Sequence, residues 1–327
     1  MNKNVSISSM RAYKNCEFSA YVFDKDGLNY KKEQTEPMKV GTYVHKMLEF
    51  CHRKGNKVHD LSNLEQSFLF VRGENMRDAQ IIAKAYNYLQ QLQRYYNNSY
   101  DALLDMTVVE VEYKFKNNGY SGIVDLIVTD GKDYYIVDYK TSSSVLSLSQ
   151  RVLYDEQLQL YSISTKYPIT GVYFVGIKTK EVYTTGARTK TGKISTSKTN
   201  KVSYESFAEL LDNEGIPYHK YKDYLGWLRV EGTNNVIAYN EFSENMLGNT
   251  MARLEEQAMR ILNIDSIDDC KPNPSYKCVN CPVLNQCLDA QNGITPDFTS
   301  LNKPEDSGVK VMFDVNKVNE DLFGWAC

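Results

Sequence analysis

The sequence predicts an α/β fold of the mixed α+β kind, in which a central mixed sheet is flanked by helices. Three predicted strands carry this prediction. Val108–Phe115 alternates between apolar and polar side chains, and Tyr120–Thr129 and Tyr134–Lys140 are rich in Ile, Val and Tyr. Segments with helical periodicity precede and follow these strands, and a further strand is predicted later in the chain. This order is typical of a sheet packed between helices.

The N-terminal segments predict two helices joined by a loop. Ile7–Phe23 reads as a helix that contains Cys16, and the polar stretch Asp24–Pro37 reads as a loop. Met38–Arg53 has apolar residues near helical spacing, and His45 projects from this predicted helix.

The remaining elements complete the predicted layers around the sheet. Leu61–Tyr100 is expected to be largely helical and carries an apolar stripe. Leu146–Thr165 predicts a helix, and Val172–Lys178 predicts a strand after the Pro and Gly that precede it. Asn240–Leu262 predicts a long helix that begins near a capping serine.

Composition sets the class of protein. The chain has 327 residues, of which 42% are hydrophobic and 24% charged, and its net charge of −3 means that any basic surface must be local. No apolar run approaches the length of a membrane span, and the N-terminus lacks a signal-peptide core. We therefore expect a cytoplasmic protein. The abundance of Tyr, Asn and Lys suggests an AT-rich coding genome, such as that of a phage or a low-GC bacterium.

The hairpin of the second and third predicted strands carries the candidate catalytic charges. Asp130-Gly131 is a strong turn signal between these strands. Asp125 lies within the first strand, and Asp138 and Lys140 lie at the end of the second. Charges in apolar strands are costly unless they are partnered. The set could hold a divalent metal ion and manage a proton, although ordinary hairpin charges are the simpler alternative.

A basic segment follows the predicted strand Val172–Lys178. Residues 184–203 contain no acidic side chain and alternate small polar residues with cations. The simpler interpretation is a solvated loop, and the functional alternative is a clamp for a DNA backbone. The candidate DNA-binding residues are Arg188, Lys190, Lys193, Lys198 and Lys201.

Clustered cysteines near the end of the chain predict a second metal centre. Cys278-x2-Cys281-x5-Cys287 supplies three thiolates, which suit zinc or an iron–sulfur cluster. Both centres commonly use four ligands, and either Cys270 or Cys16 could be the fourth. Local spacing by itself favours a zinc site made of four cysteines.

The motifs together resemble the RecB-like nucleases of the PD-(D/E)XK superfamily over roughly residues 5–290. The motif YKNCEF around Cys16 and the late CVNCPVLNQC look like the iron–sulfur staple of the AddB nuclease domain and of CRISPR-associated RecB-like exonucleases. Two positions depart from the superfamily pattern, since Val124 replaces the proline and Asp138 replaces the glutamate. The other matching motifs, in sequence order, are Gly41-x3-His45, Gly122-x2-Asp125, Asp138-x-Lys140 and Gln157-x3-Tyr161.

The resemblance implies a restriction-endonuclease-like core with an iron–sulfur subdomain formed by the two ends of the chain. It implies Cys16 instead of Cys270 as the fourth ligand, and a [4Fe–4S] cluster instead of zinc. We expect one nuclease domain over residues 1–300 and a tail over 301–327. Its parts are a helical region 1–105, the nuclease core 106–183, the basic loop 184–203, a helical region 204–268 and the cysteine cluster 270–287.

The resemblance also implies roles for the hairpin residues. We hypothesise that His45, Asp125, Asp138 and the main-chain carbonyl of Tyr139 bind Mg²⁺ or Mn²⁺. Lys140 would orient or deprotonate the attacking water.

Three further residues are weaker candidates. Gln157 and Tyr161 lie one helical turn apart, and the resemblance implies that they support the active site and the DNA strand. A Gln–Tyr pair on a helix would otherwise be explained by packing. Glu112 is a further candidate acid, for which an exposed strand charge is an equal alternative.

The function implied is a metal-dependent DNA exonuclease that acts on DNA ends, with single strands the expected substrate, in repair, recombination or phage replication. No G-x4-G-K-[ST] phosphate loop is present, so a helicase or a recombination or replication protein is the expected partner. The alternatives are a structure- or sequence-specific endonuclease of the same superfamily and a non-catalytic DNA-binding subunit. The intact set of Asp125, Asp138 and Lys140 disfavours the last.

Overall fold

The computed structural model describes residues 5–24, 27–117, 119–143, 146–179, 188–189, 191–197, 202, 204–230 and 235–301. Its contacts divide the chain into two compact units. The sheet unit comprises Met1–Arg11 and Gln34–Asn263, and the cysteine unit comprises Ala12–Glu33 and Ile264–Cys327. In the described residues, no helix is long and apolar enough to span a membrane.

The described residues form six strands and eleven α-helices. The strands are β1 (Val5–Ser6), β2 (Thr107–Asn117), β3 (Tyr120–Thr129), β4 (Tyr134–Ser142), β5 (Ile169–Lys178) and β6 (Val236–Asn240). The first helices are α1 (Ile7–Asn15), α2 (Glu17–Phe23), α3 (Glu36–Cys51), α4 (Leu64–Glu74), α5 (Ala79–Asn97) and α6 (Leu146–Arg151). They are followed by α7 (Glu156–Ser164), α8 (Tyr204–Asn213), α9 (Lys222–Val230), α10 (Glu244–Leu262) and α11 (Leu284–Gln291).

The six strands form one mixed sheet in the order β1-β3-β4-β5-β6, with β2 also paired to β3. The β2–β3, β3–β4 and β5–β6 pairs are antiparallel, and the β1–β3 and β4–β5 pairs are parallel. Helices cover both faces of this sheet. The prediction of a mixed α/β fold with a central mixed sheet flanked by helices is confirmed.

Two strands, β1 and β4, pair with different parts of the same edge of β3. The gap between them is a fork in the sheet. Because β2 pairs along nearly the whole of β3, β1 and β4 must occupy the opposite edge. Strand β4 pairs with β3 only as far as Leu126↔Val137, and β1 pairs only with Tyr120 and Ser121. Residues 122–125 of β3 therefore lack a strand partner on that edge. The fork leaves room for side chains where a ladder would otherwise continue.

Two apolar cores pack on the two faces of the sheet. On one face, α3, α4 and α5 pack on the strands, and the predicted stripe of α5 is buried there. On the other face, α1, α7 and α10 pack around side chains such as Phe174. The central strands β3, β4 and β5 are covered on both faces, so they consist mainly of apolar residues, apart from the charges at the fork.

Two predicted helices are interrupted, each for a local reason. The helix predicted over Ile7–Phe23 breaks at Cys16, whose extended backbone precedes α2. The helix predicted over Leu146–Thr165 breaks before α7, where the Asp155 side chain accepts hydrogen bonds from the N–H groups of Gln157 and Leu158. Helix α10 begins after Ser243 as predicted, while Asn240 belongs to β6.

Hydrogen bonds join the N-terminal and C-terminal segments of the cysteine unit. The Tyr21 hydroxyl donates to the carbonyl of Asp265 at 3.0 Å, and the Lys271 N–H donates to Glu17 at 2.7 Å. The unit is thus assembled from segments far apart in sequence.

Candidate active site

Three carboxylates lie in one row across β2, β3 and β4. Glu112 stands opposite Asp125 in the antiparallel register of β2 and β3. Asp125 comes immediately before Leu126, and Asp138 comes immediately after Val137, the last pair of the β3–β4 ladder. The row therefore sits at the fork, where backbone pairing ends.

The backbone around Asp125 explains how a carboxylate can occupy a buried strand position. Its Oδ2 accepts a hydrogen bond from the N–H of Tyr139 at 2.7 Å, so the side chain replaces a ladder partner. Burial works to raise the pKa of Asp125, but His45, Lys140 and this N–H together hold it below its ordinary value. Asp125 is thus kept as an anion.

Helix α3 brings His45 to the row because a glycine lets it approach β4 closely. A Cβ atom at Gly41 would lie 3.2 Å from Oγ1 of Thr141. One turn later, Nδ1 of His45 lies 3.3 Å from Oδ1 of Asp125. Burial works to lower the pKa of His45, but the charge of Asp125 raises it overall.

Glu112 joins this group through an unusual backbone conformation. Its φ of 47° lies in the left-handed region, which a non-glycine residue occupies at a cost of about 1–3 kcal/mol. One ligand atom from each of His45, Glu112 and Asp125 lies within 4.8 Å of the others. Burial, reinforced by Asp125 and Glu49, raises the pKa of Glu112 to about 7. A cation bound here would stabilise its charged form.

Asp138 and Lys140 form an ion pair next to this group. The ammonium of Lys140 lies 2.6 Å from Oδ2 of Asp138, whose side chain is 2% exposed. Burial and the nearby charge of Asp125 raise the pKa of Asp138, while Lys140 opposes this effect. Apart from this ion pair, Oδ2 of Asp138 has no hydrogen-bond partner among the residues that the structure describes.

Helix α7 places Gln157 and Tyr161 beside the carboxylates. The Gln157 amide donates to the Tyr161 hydroxyl at 2.7 Å. Burial raises the pKa of Tyr161, and the charges of Asp138 and Asp125 add to this shift. A Cβ at Gly122 would lie 2.8 Å from this ring, so the glycine permits the close approach.

Tyr96 and His52 anchor the buried hydroxyl of Tyr139 beneath the row. The Tyr139 hydroxyl lies 2.9 Å from Nε2 of His52 and accepts a longer hydrogen bond from Tyr96. Burial lowers the pKa of His52 to about 4, so its ring is neutral. The contact immobilises the β4 segment whose main chain holds Asp125. Sequence spacing gives no signal for this three-residue contact.

The basic loop is only partly described. Lys190, Lys198 and Lys201 lie outside the described residues. Arg188 donates to the carbonyl of Gly192 at 2.6 Å and pairs with Glu214. Lys193 forms a local backbone contact with Thr189.

The four predicted cluster ligands all belong to the cysteine unit. Burial raises the pKa of Cys287, and the charges of Cys16, Cys281 and Cys278 add to this shift. Cys270 is buried, and its thiol contacts the carbonyl of Ser266. The sulfur atoms therefore come from both ends of the chain.

A family profile described as the PD-(D/E)XK nuclease superfamily matches residues 4–288. The chain belongs to the PD-(D/E)XK nuclease superfamily. Nucleases of this superfamily use divalent metal ions, and the superfamily implies a DNA substrate. The group of His45, Glu112 and Asp125 is a candidate site for such an ion in this nuclease.

Several solved structures are similar to this nuclease. A protein from Eubacterium rectale described as a "putative exonuclease" is 12% identical, with a TM-score of 0.42 and coverage of 86% of this chain and 87% of that chain. The protein SSO0001 is 15% identical, with a TM-score of 0.23 and coverage of 75% of this chain and 94% of that chain. No curated protein matches the nuclease.

Proposed function

We propose that this PD-(D/E)XK nuclease is a metal-dependent DNA exonuclease that degrades single strands from their ends. The observation that carries the proposal is the row of Glu112, Asp125 and Asp138 with His45 and Lys140 at the fork of the sheet. The motif resemblance to RecB-like exonucleases supports action at ends. DNA repair, recombination or phage replication, with a helicase as partner, is the setting that we propose.

The donor set fits Mg²⁺ or Mn²⁺. His45, Glu112, Asp125, Asp138 and the main-chain carbonyl of Tyr139 would hold the ion, since carboxylate and carbonyl oxygens suit Mg²⁺ and one imidazole favours Mn²⁺. Among the described residues, Oδ2 of Asp138 has no hydrogen-bond partner apart from its ion pair, and the pKa of Glu112 is raised. A bound cation would stabilise the charged forms of both side chains. When bound, it would polarise the scissile phosphate and lower the pKa of a bound water.

The chain's own residues would orient the reactants. Lys140 is held by Asp138, and its Nζ lies 5.9 Å from the centroid of the Phe174 ring. The ammonium is thus fixed where it can orient a water, and only its neutral amine form could accept a proton from that water. Gln157 fixes the hydroxyl of Tyr161 beside the carboxylates, where it can donate to a phosphate oxygen. The role of Tyr161 requires the positioning of Gln157 and Tyr161 on α7.

For the cysteine unit we propose a [4Fe–4S] cluster held by Cys16, Cys278, Cys281 and Cys287, with zinc as the alternative. The motif resemblance and the location of all four cysteines in the cysteine unit support this ligand set, and thiolates suit both metals. Anaerobic purification followed by visible absorption and analysis of iron, sulfide and zinc distinguishes them. Cys16→Ser should lose the metal, whereas Cys270→Ser should keep it. The reverse outcome would make Cys270 the fourth ligand instead of Cys16.

The nuclease proposal is tested with end-labelled linear single strands, linear duplex and closed circles, incubated with Mg²⁺ or Mn²⁺. We expect linear single strands to shorten from an end, circles to survive and Lys140→Ala to be inactive. Cutting of circles would identify an endonuclease instead. If wild type and variant both bind DNA and neither cleaves it, the protein is a non-catalytic DNA-binding subunit.

A further inference from the structure

A second cluster of charges lies in the sheet unit, next to the candidate active site. A cavity of about 620 Å³ is lined by α1, α6, α10 and the start of α7. Its charged walls are three arginines and two carboxylates, which leaves one net positive charge. These residues are Arg11, Arg151, Arg253, Asp155 and Glu156.

Asp155 fixes two of the arginines at the cavity. Its side chain is 1% exposed, and both oxygens lie 3.2 Å from Nη2 of Arg11. Arg151 contacts Oδ2 of Asp155 through Nε at 2.8 Å. The Arg151 guanidinium is therefore oriented by its inner nitrogen, a geometry that suits binding of an anion through the terminal nitrogens.

Helix α10 supplies the third arginine from the opposite wall. Nη2 of Arg253 lies 2.9 Å from Oε1 of Glu156 and donates to Oγ1 of Thr250 at 3.3 Å. Thr250 is itself buried and donates to Gln159, a buried amide in the floor of the cavity. The arginines thus stand on a polar, ordered base and remain one-third to one-half exposed.

The cavity adjoins the candidate active site through one aromatic ring. The guanidinium carbon of Arg151 lies 5.7 Å from the centroid of Phe174, and Nζ of Lys140 lies 5.9 Å from the same centroid. Arg11 also donates to Gln157 at 3.4 Å, and Gln157 bonds Tyr161 at the carboxylate row. A strand that enters the active site would therefore have a neighbouring phosphate within reach of these arginines.

We propose that this cavity binds a phosphate group of the DNA strand next to the one that is cleaved. The proposal rests on the proposed nuclease function, because the ligand is the substrate's own backbone. Guanidinium groups recognise phosphate through paired N–H donors, and the volume is sufficient for a nucleotide-sized group. The phosphate is either internal or terminal, and the experiment distinguishes these sources.

The test measures binding of single-stranded oligonucleotides by fluorescence anisotropy, with a chelator present so that nothing is cleaved. The variants are Arg151→Gln, Arg253→Gln and the double variant, and Arg72→Gln on the exposed surface of α4 is the charge-matched control. Probes carry hydroxyl ends, a 5′-phosphate or a 3′-phosphate. Thermal unfolding of each variant reports whether it folds.

We expect the double variant to bind about tenfold more weakly and its salt slope to fall by about 0.7 for each lost phosphate contact on a single strand, while the control matches wild type. An equal loss for all probes assigns an internal phosphate. Loss of a preference for one phosphorylated end assigns a terminal phosphate. Folded single and double variants that keep wild-type affinity and salt slope would overturn the proposal.

Cleavage by the wild type is measured in parallel with metal ions. A wild type that binds DNA but never cleaves it would refute the nuclease proposal, and the anisotropy comparison would still decide whether the arginines bind phosphate.

Discussion

Asp138 and Asp155 are both buried carboxylates of the sheet unit, yet their surroundings shift their pKa values in opposite directions. Asp138 is 2% exposed, and its pKa is raised by burial and by Asp125. Asp155 is 1% exposed, and its pKa is lowered because Arg11 and Arg151 outweigh the effect of burial. Two equally buried carboxylates therefore differ in the direction of their pKa shifts.

The number of partners accounts for the difference. Asp155 receives two guanidinium groups and the N–H groups of Gln157 and Leu158, so its charge is fully compensated and it caps α7. Asp138 has one ammonium, that of Lys140, and another acid as neighbour. A carboxylate completed by the protein has a structural role, whereas one left incomplete beside other acids is suited to bind a cation.

The largest effect that the comparison predicts is on activity. Asp138→Asn should reduce cleavage about 10³-fold or more, because loss of metal-assisted charge stabilisation costs several kcal/mol and each 1.36 kcal/mol is tenfold in rate. The free energy of unfolding should fall less than in Asp155→Asn, because the loss of the ion pair with Lys140 is offset by the removal of repulsion with Asp125. Initial cleavage rates and urea unfolding measure the two quantities.

Asp155→Asn should behave in the opposite way. It should leave the metal site intact and lower the free energy of unfolding by about 3 kcal/mol, since two arginines lose their buried partner. A stable Asp155→Asn with activity as low as that of Asp138→Asn would contradict the separation of the two roles.

The pH dependence of stability sharpens this second prediction. The folded-state pKa of Asp155 is below its ordinary value, so its contribution is fully present above about pH 4 and is lost as the pH falls through the lower folded-state pKa. The difference in unfolding free energy between wild type and Asp155→Asn should therefore shrink below about pH 4. Urea unfolding at several pH values checks this, and a difference that stays constant at low pH would contradict it.

The two roles differ in how far the sequence could predict them. Asp125, Asp138 and Lys140 follow from the strand pattern and the turn at Asp130-Gly131, because charges in an apolar hairpin are conspicuous. The fork is not predictable in this way, since it depends on a two-residue strand, β1, taking the remaining edge of β3.

The arginine cavity shows the same limit more strongly. Arg11 and Arg253 belong to helices far apart in sequence, and no periodicity links them. Only Asp155, as a cap residue before α7, has a local signal, and the helix predicted across it obscured that signal. Long-range side-chain clusters need the tertiary structure.

Metal binding gives the third prediction. Mn²⁺ at about 100 times its Kd should stabilise the wild type by about 2.7 kcal/mol, because it binds only the folded chain. Asp125→Asn with Asp138→Asn should abolish this gain, while Asp155→Asn should keep it. Thermal unfolding with and without Mn²⁺ measures both, and an equal gain in all variants would place the ion elsewhere.

The smallest expected effect concerns α7. Asp155 caps this helix, and the ring of Tyr161 on the same helix packs against Gly122 of β3. Gly122→Ala should lower the unfolding free energy by about 1–2 kcal/mol, because the added Cβ would lie 2.6 Å from the Phe115 ring and 2.8 Å from the Tyr161 ring. Displacement of Tyr161 should also reduce the cleavage rate.

Gly73→Ala is the matched control, because no atom lies within 4 Å of its added Cβ and alanine favours the α4 helix by about 1 kcal/mol. Urea unfolding should show a lower free energy of unfolding for Gly122→Ala and a higher one for Gly73→Ala. The cleavage rate should fall for Gly122→Ala and stay at the wild-type value for Gly73→Ala. If Gly122→Ala were as stable and as active as wild type, the Tyr161 ring would not be held against β3, and α7 would not connect the capping carboxylate to the candidate active site.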